Sequence, residues 1–277
     1  MKNKAVGIIG CGNMGSSIAQ GLKSRYPLFV FDKDKNKTKD VQGIKIADNL
    51  SDLANQADIL LLAVKPQDFD SVLTELKDKI AGKLIISIAA GISTKYIQKA
   101  LGGARVIRAM PNIGVKIGQS VTCLCAGESS GVDDLTLARE LFAGLGMVRE
   151  IKEEMMNAAT AISGSGPGFE FEYCDSEGIN ADTLTEKVKE KFICSLAEAA
   201  QDCGFNKEDA MFLAAATTNS TIALMKKTGL PPSELMIQVA SKGGTTEAGL
   251  EEIHRGGSWV DAAKAAVARA KELSKEE

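Results

Sequence analysis

The glycine-rich stretch GIIGCGNMG, residues 7–15, constrains the fold of this chain more than any other feature. It places Gly10, Gly12 and Gly15 in the pattern GxGxxG, directly after an apolar run and directly before an amphipathic one. In this pattern one glycine makes a tight turn, the second lets the backbone approach a pyrophosphate, and the third allows close helix–strand packing. The free N–H groups at the helix start then face the phosphates. The stretch therefore predicts a strand, a phosphate-binding turn and a helix, as at the start of a dinucleotide-binding domain.

The rest of the first half repeats this alternation of strand and helix. The further strands predicted from short apolar runs are 28–32, 57–64, 83–89, 105–110, 120–127 and 147–151. Strands that alternate with helices at this spacing are typical of a doubly wound parallel sheet. From about residue 153 the apolar residues recur at helical spacing instead. We therefore predict an α/β domain over residues 1–152 and an all-helical domain over residues 153–277.

Helix boundaries in the second half are predicted from capping residues. Thr183 and Glu186 form a candidate capping box ahead of a helix with an apolar face. Gly229 and the prolines after it predict the end of the next, longer helix. Ser258 predicts the start of the last helix.

Composition restricts the kinds of partner that this chain binds. Its net charge of −3 lacks the basic excess that a nucleic-acid-binding domain carries. No apolar run approaches the ~20 residues that span a bilayer, and the N-terminal residues show no signal-peptide pattern. The six cysteines form no CxxC motif and no Cys/His pairing, so we expect free thiols and no metal. These features predict a cytoplasmic protein that binds neither nucleic acid nor membrane.

The residues after the second strand bear on which dinucleotide binds. Asp32 ends the run LFVFD, at the position where an acidic side chain holds the ribose hydroxyls of NADH and repels the 2′-phosphate of NADPH. Lys33, Lys35 and Lys37 follow, and they either accept that phosphate or form a solvated turn. Asp32 favours NADH, while the choice between NADH and NADPH stays open.

Side chains suited to proton transfer are scarce in this sequence. A dehydrogenase that acts on an alcohol or ketone needs a group that exchanges a proton with the oxygen. The single histidine, His254, lies in the stretch EEIHRGG, where we expect a surface position at a helix end. Tyr96 and Lys99 do not have the Tyr-x-x-x-Lys spacing of short-chain dehydrogenases. A protonated cyclic imine needs no such donor, and the protein then has to orient the substrate and bind its carboxylate.

The stretch VASKGGTTEAGL, residues 239–250, interrupts the helical half. A pair of glycines destabilises the interior of a helix, and a threonine before a helical run is a good N-cap. One interpretation is a plain linker between two helices. The other is a small anion pocket, in which the N–H groups of Gly243 and Gly244 converge ahead of a helix that begins near Thr246. Ser241 and Thr245 would add hydroxyl donors to that pocket.

Six motifs along the chain resemble those of pyrroline-5-carboxylate reductases, from the first strand to the C-terminal helices. They are GCGNMG, AVKPQ, SIAAGI, RAMPN, ISGSGPGF and SKGGTTEAGL. The resemblance implies a Rossmann-type domain followed by a helical dimerisation domain. It implies the NADPH- or NADH-dependent reduction of the cyclic imine Δ1-pyrroline-5-carboxylate to L-proline, the last step of proline biosynthesis, without a metal. It also implies a homo-oligomer, either a dimer or a higher assembly such as a decamer.

The resemblance further implies roles for individual residues. Those implied to bind the cofactor are Ile8, Ile9, Gly10, Cys11, Gly12, Asn13, Met14, Gly15, Asp32, Lys33, Ala63, Val64, Lys65, Pro66, Ala89, Ala90, Gly91, Pro111 and Asn112, with Met110 beside them. Those implied to hold the substrate are Ser241, Gly243, Gly244, Thr245 and Thr246. Thr246 is implied to be the catalytic residue, because its hydroxyl would reach the ring nitrogen of the imine.

The chain departs from the family pattern at two places. Where the family reads MPN-Thr-Pro, this chain has Ile113 and Gly114, so a hydroxyl near the cofactor is missing. After GSGPGF the chain carries an extra segment around residues 172–190, whose first part is polar and turn-prone. Such a segment predicts an interrupted helix at the periphery of the helical domain.

Two other functions remain as alternatives. A β-hydroxyacid-type dehydrogenase shares this two-domain layout, but it needs a catalytic lysine on the first helix of the second domain. No lysine occurs between Lys152 and Lys187, which counts against it. A non-enzymatic NAD(P)-binding sensor would keep the cofactor fold without turnover, and the extra segment favours that alternative.

Overall fold

The computed structural model describes residues 4–39 and 41–274, which divide into two compact units. The helical unit comprises Met110–Cys123 and Glu154–Leu273, and the sheet unit comprises the remaining described residues. The stretch Met110–Cys123, which the sequence prediction assigns to the domain over 1–152, therefore groups with the helices. Residues 1–3 and 275–277 of the two predicted domains lie outside the described part of the chain.

The described residues form one eight-stranded sheet. Its strands are β1 Val6–Ile9, β2 Leu28–Phe31, β3 Lys45–Ile46, β4 Ile59–Leu62, β5 Leu84–Ser87, β6 Arg105–Met110, β7 Ser120–Ala126 and β8 Gly146–Glu150. Their order across the sheet is β3-β2-β1-β4-β5-β6-β7-β8, and every pair from β3 to β6 is parallel. The predicted doubly wound parallel sheet is confirmed.

Helices cover both faces of this sheet, as the complete burial of its central strands indicates. The helices between the strands are α1 Asn13–Leu22, α2 Leu50–Gln56, α3 Phe69–Leu76, α4 Thr94–Ala100 and α5 Val132–Ala143. Every residue of β1, β4 and β5 is buried. Parallel strands with both faces covered read as continuous apolar runs rather than as alternating ones, which is why the sequence marked them clearly.

The sequence prediction missed β3 and α2, which lie between the second and third predicted strands. Both residues of β3 are exposed and pair only with β2, so no apolar run marks this short strand. The N-cap of α2 is Asn49, whose side chain accepts a hydrogen bond from the N–H of Asp52. The helix buries Leu50, Leu53 and Ala54, and this packing holds a helix that is short by itself.

The strand order determines where a ligand can bind. β1 lies between β2 and β4, so the chain runs through α1 to one side of β1 and returns through α2 to the other. The connections at the carboxyl ends of β1 and β4 therefore lead in opposite directions and leave a crevice between them. Doubly wound sheets bind their ligands at such a point.

The helical unit contains the remaining α-helices of the described chain. They are α6 Met156–Ala159, α7 Gly166–Ser176, α8 Glu186–Asp202, α9 Lys207–Thr228, α10 Pro232–Val239, α11 Thr245–His254 and α12 Trp259–Glu272, with a π-helical turn at Thr160–Gly164. None of the helices within residues 4–39 and 41–274 is long and apolar enough to cross a lipid bilayer. The all-helical second half predicted from the sequence is confirmed.

Two of the three predicted helix boundaries hold. Gly229 ends α9 with a φ of 63°, and Ser258 caps α12 in a reciprocal capping box with Asp261. The predicted cap of α8 by Thr183 is wrong. Thr185 is the N-cap of α8 and accepts from the N–H of Val188, whereas the Thr183 hydroxyl accepts from the N–H of Asn180 in the preceding turn.

The core of the helical unit brings α7, α8, α9 and α10 together. Its main cluster contains Phe171, Cys174, Phe192 and Leu235, all buried. Trp259, the single tryptophan of the chain, packs against this cluster and against the two smaller clusters of the same unit. The indole therefore reports on the packing of the whole helical unit.

The extra segment around 172–190 interrupts a helix, as predicted. α7 ends at Ser176 and α8 begins at Glu186. The connecting residues Glu177 and Gly178 are exposed, in keeping with a peripheral position. The segment nevertheless contributes to the core, because Ile179 and Leu184 pack against the main cluster.

Candidate functional site

The glycine loop joins β1 to α1, with Gly12 as the N-cap of the helix. Gly10 has a φ of +100°, and a Cβ there would lie 2.6 Å from the carbonyl oxygen of Ala63. A Cβ on Gly15 would lie 1.9 Å from the carbonyl oxygen of Gly10. At Gly12 no atom of the described chain lies within 4 Å of the Cβ position. Gly10 and Gly15 thus close the turn against the sheet, while Gly12 leaves room at the helix start for a pyrophosphate.

Asp32 follows β2 and ties this loop to the next turn. The residue is buried, with 8% of its surface exposed. Its Oδ2 accepts a hydrogen bond of 2.7 Å from the N–H of Cys11, and its Oδ1 accepts one of 2.9 Å from the N–H of Asp34. Because bonds to a charged acceptor are strong, Asp32 holds the shape of the glycine loop. The sequence predicted only a contact with the ribose and missed this role.

Cys11 in the glycine loop is a packing residue. Its side chain is buried. Burial, followed by the nearby charge of Asp32, raises the pKa of the Cys11 thiol to about 12. The thiol therefore stays protonated near neutral pH, and a protonated thiol is a poor nucleophile.

A cleft that is open to solvent lies beside the glycine loop. Its lining residues are Ile9, Gly10, Gly12, Phe31, Asp32, Lys33, Lys37, Leu50, Ala63, Val64, Lys65, Asp68, Ser71, Val72 and Glu75. Within this lining Lys33 pairs with Asp68 at 2.5 Å. The cleft therefore brings together the glycine loop, the end of β2 and the AVK stretch after β4.

Several predicted cofactor residues belong to the same segments without lining the cleft. These are Ile8, Cys11, Asn13, Met14, Gly15 and Pro66. Ala89, Ala90 and Gly91 follow β5, also at its carboxyl end. Conversely, the sequence prediction missed the lining residues Phe31, Leu50, Asp68, Ser71, Val72 and Glu75. Most of these belong to α2, to α3 or to the turn before α3, and no motif marks them.

Pro111 and Asn112 follow β6 and group with the helical unit. Asn112 is 2% exposed, and its Oδ1 accepts hydrogen bonds from the N–H groups of Gly114 and Val121, both at 3.1 Å. A Cβ on Gly114 would lie 1.9 Å from the Oγ of Ser220 on α9. The departure at Ile113–Gly114 therefore has a structural reason, since α9 passes too close for a larger residue.

Three hydroxyls meet in the helical unit between the start of α7 and the start of α11. Thr246 Oγ1 donates a hydrogen bond of 3.1 Å to Ser165 Oγ, and Thr245 Oγ1 lies 3.0 Å from the same oxygen. Thr246 is 4% exposed and Ser165 is fully buried. A Cβ on Gly168 would lie 2.5 Å from the Cγ2 of Thr246. The structure thus joins the GSGPG and GGTT motifs, and Ser165 is a site residue that the sequence prediction missed.

The glycine pair before α11 differs from its predicted role. Gly243 has a φ of +70°, as the predicted turn requires. Its N–H donates to Glu247 Oε2 at 2.6 Å, and the N–H of Gly244 donates to the carbonyl oxygen of Ser241 at 2.9 Å. Both N–H groups are therefore taken by the protein. The groups placed to bind an anion are instead the N–H groups of the first turn of α11, which have no carbonyl partner within the helix.

Arg269 on α12 contacts the loop that contains the glycine pair before α11. Its Nε donates to the carbonyl oxygen of Gly243 at 2.8 Å, and its Nη1 pairs with Glu272 at 2.8 Å. Ser241 is exposed. The guanidinium thus fixes the loop ahead of α11 through Gly243, a contribution that no motif indicated.

His254 occupies the surface position expected from the sequence. It is the last residue of α11, its side chain is 58% exposed, and its Nε2 lies 2.9 Å from Glu172 Oε1. Within the described part of the chain, no group of three or more His, Cys, Asp or Glu residues is arranged to hold a metal ion.

Comparison with known proteins finds a family match within each of the two units. Residues 5–91 match the family model described as NADP oxidoreductase coenzyme F420-dependent, and residues 190–276 match the model for pyrroline-5-carboxylate reductase dimerisation. A pyrroline-5-carboxylate reductase of Methanosarcina acetivorans is 33% identical, over 99% of this chain and all of the relative.

Solved structures agree with the sequence relatives. The pyrroline-5-carboxylate reductase of Coxiella burnetii is 31% identical, with a TM-score of 0.64 and 99% of both chains covered. The Plasmodium falciparum pyrroline carboxylate reductase, solved with NADP bound, is 26% identical with a TM-score of 0.64, covering 99% of this chain and all of that one. The resemblance drawn from the six motifs is confirmed. The chain belongs to the pyrroline-5-carboxylate reductase family.

Proposed function

We propose that this chain reduces the C=N bond of Δ1-pyrroline-5-carboxylate with NAD(P)H and forms L-proline, the last step of proline biosynthesis. The observation that carries the proposal is the buried Thr246 hydroxyl, which donates a hydrogen bond to Ser165 Oγ. Its oxygen keeps lone pairs that accept a hydrogen bond from a protonated imine nitrogen. The similarity over nearly the full length to a relative of this activity supports the same reaction.

Thr246 and Ser165 orient the imine and exchange no proton with it. The reduced nicotinamide, when bound, supplies a hydride to the imine carbon. The C=N π electrons then become the lone pair of the nitrogen, and the protonated imine becomes a neutral secondary amine. Since the positive charge is discharged by the hydride itself, the step needs no acid or base from the protein, in keeping with His254 on the surface. The protein contributes by orientation.

The substrate carboxylate binds at the start of α11. The N–H groups of Thr245, Thr246 and Glu247 are the first-turn donors of that helix, and the helix dipole favours an anion there. Arg269 fixes the loop ahead of this helix through its hydrogen bond to the carbonyl oxygen of Gly243. The start of α11 thus binds both the imine nitrogen and the carboxylate of the substrate.

The preferred cofactor is NADPH rather than the NADH that Asp32 favours on sequence grounds. Both carboxylate oxygens of Asp32 already accept backbone N–H groups, which reduces its availability to the ribose. Lys37 lines the same cleft and supplies charge for a 2′-phosphate, whereas the charge of Lys33 is already paired with Asp68. Lys37→Ala should therefore raise KM for NADPH at least fivefold and leave KM for NADH unchanged. An equal effect on both cofactors would contradict this assignment.

Roles can also be proposed for the remaining site residues. The glycine loop, the stretch from Ala63 to Pro66 and Ala89–Gly91 of the sheet unit bind the pyrophosphate and the nicotinamide half. Pro111 and Asn112 are further proposed cofactor residues. The chain forms a homo-oligomer through its helical unit, in line with the dimerisation model matched there. Light scattering of the purified protein measures the number of subunits.

The experiment that tests the function follows consumption of NADPH by absorbance with pyrroline-5-carboxylate as substrate. Thr246→Ala should lower kcat/KM at least tenfold, about 1.4 kcal/mol of transition-state stabilisation, with NADPH affinity unchanged. Thr246→Ser should recover most of the activity, because it retains the hydroxyl. A purely structural role of Thr246 would instead lower the stability of the protein and leave kcat/KM intact.

The same assay separates the alternatives. A β-hydroxyacid-type dehydrogenase would oxidise 3-hydroxy acids with NADP and ignore the imine. A cofactor sensor would bind NADPH and turn over neither substrate. Wild-type protein that behaves in either way would overturn the proposed function.

A further inference from the structure

Helix α7 carries part of the substrate site on one of its faces. Ser165, its N-cap, bonds Thr246, and Gly168 one turn later packs against the same threonine. Glu172, four residues after Gly168, reaches His254 on α11. Residues four apart lie on the same side of a helix. This face of α7 is therefore held against α11.

The opposite face of α7 carries a buried carboxyl group that the proposed reaction does not use. Glu170 is fully buried, and its Oε1 accepts a hydrogen bond of 2.5 Å from Thr218 Oγ1 on α9. Its Oε2 is also buried and has no hydrogen-bond partner within the described residues. Because each residue of an α-helix turns by about 100°, Glu170 lies about 200° around α7 from Gly168. It therefore points away from α11 and toward α9.

The surroundings of Glu170 favour the neutral acid. Burial raises the pKa of the Glu170 carboxyl to about 7, and the hydroxyls of Thr218 and Thr221 offset this in part. An ionised carboxylate without a cation in such a place is strongly disfavoured. The protonated carboxyl, in contrast, is compatible with a closely packed contact between α7 and α9.

In the described part of the chain, the elements packed against α7 bring no charge of opposite sign to Glu170. From α9 the facing groups are hydroxyls, and the π-helical turn Thr160–Gly164 has no ionisable side chain. α10 packs apolar side chains against α7, and its Glu234 is exposed. α11 lies against the opposite face of α7, where its His254 is bonded to Glu172. On α7 itself Cys174 is nearby, and burial raises the pKa of its thiol to about 12. No charged group therefore compensates an ionised Glu170 among the described residues.

We propose that Glu170 is a positioning residue for the substrate site, and that its protonated form holds α7 against α9 so that Ser165 reaches Thr246. The inference rests on the proposed function. When Glu170 loses its proton, the charge draws water between α7 and α9, because the carboxylate has to be solvated. Since α7 moves as a packed helix, the displacement changes the geometry of Ser165 and Gly168 against Thr246. Loss of the proton therefore weakens imine binding in the transition state and leaves the cofactor cleft unchanged.

The test is the pH profile of kcat/KM for pyrroline-5-carboxylate at saturating NADPH, from pH 5.5 to 9, for wild type and Glu170→Gln. Glutamine accepts the Thr218 hydrogen bond and stays neutral. The ratio of variant to wild type should be near one at pH 5.5 and rise at least threefold above pH 8, with KM for NADPH unchanged. Taking the ratio cancels the titration of the substrate. Glu190→Gln, an exposed carboxylate of the same unit, is the matched control and should give a ratio independent of pH.

A second pair of variants tests the contact from the side of α9. Thr218→Val removes the donor to Glu170 and should lower kcat/KM at least fivefold, whereas Thr218→Ser should restore it. A pH-independent ratio for Glu170→Gln, or an unaffected kcat/KM in Thr218→Val, would overturn the inference while wild type remains an active reductase. Wild type that fails to reduce the imine would overturn the proposed function, and this inference with it.

Discussion

Replacing Glu170 by glutamine should stabilise the helical unit at alkaline pH and change its stability little at acid pH. In the folded protein burial raises the pKa of this carboxyl from the ordinary value of 4.5 to about 7. Between these values the folded state binds more protons than the unfolded state. The contribution of Glu170 to the free energy of unfolding therefore falls as the pH rises from 4.5 to 7 and stays low above that.

The two pKa values determine the size of the effect. One unit of pKa corresponds to about 1.36 kcal/mol, so the free energy of unfolding is lowered by about 0.8 kcal/mol at pH 5 and by about 3.3 kcal/mol at pH 8. Glutamine removes this loss at every pH. The difference in unfolding free energy between Glu170→Gln and wild type should grow by about 2.5 kcal/mol between pH 5 and pH 8. All other groups titrate alike in both proteins and cancel in that difference.

The assay is urea unfolding at both pH values, followed by the fluorescence of Trp259. Because this is the single tryptophan and packs in the core of the helical unit, its signal reports on that unit. Midpoints and slopes give the unfolding free energies by linear extrapolation. Glu190→Gln, with its exposed side chain, should show the same difference from wild type at both pH values. A Glu170→Gln difference that is also independent of pH would refute the reasoning.

Three further predictions concern single residues. Asp32→Ala should weaken NADPH and NADH alike, each at least fivefold by fluorescence titration, because the N–H of Cys11 loses its acceptor; a loss confined to NADH would show that Asp32 contacts only the ribose. Gly168→Ala should lower kcat/KM for the imine at least tenfold, since its Cβ would lie 2.5 Å from Thr246 Cγ2; unchanged kinetics would show that the helices adjust freely. His254→Gln should keep turnover within a few-fold, because a protonated imine needs no imidazole donor, and a loss above roughly a hundredfold would indicate a general acid.

The local pattern of the sequence was sufficient to predict the strands that are buried along their whole length and the turn that requires glycine. β1, β4 and β5 were predicted because strands covered on both faces are apolar throughout. The glycine loop was predicted because Gly10 and Gly15 are sites that no larger residue fits. β3 was missed because an exposed two-residue edge strand has no apolar signature.

The cleft and the hydroxyl cluster could be predicted only in part. The motifs indicated Thr245 and Thr246, and the order of elements indicated the carboxyl ends of the strands. Ser165 lies 81 residues before Thr246, and their hydrogen bond depends on how α7 packs against α11. The role of the glycine pair was misjudged for the same kind of reason, because the Glu247 side chain, not a ligand, takes the N–H of Gly243.

The sequence by itself determined the class of fold and the family, since these depend on residue spacing within short motifs and on the order of those motifs along the chain. Only the tertiary structure showed that α9 lies close enough to require Gly114 beside Ser220, and that Glu170 is buried against Thr218. A glutamate on a helix normally reads as a solvated side chain. Its burial depends on which helix packs over it, and helix packing is decided by contacts between residues far apart in the chain, which no local pattern contains.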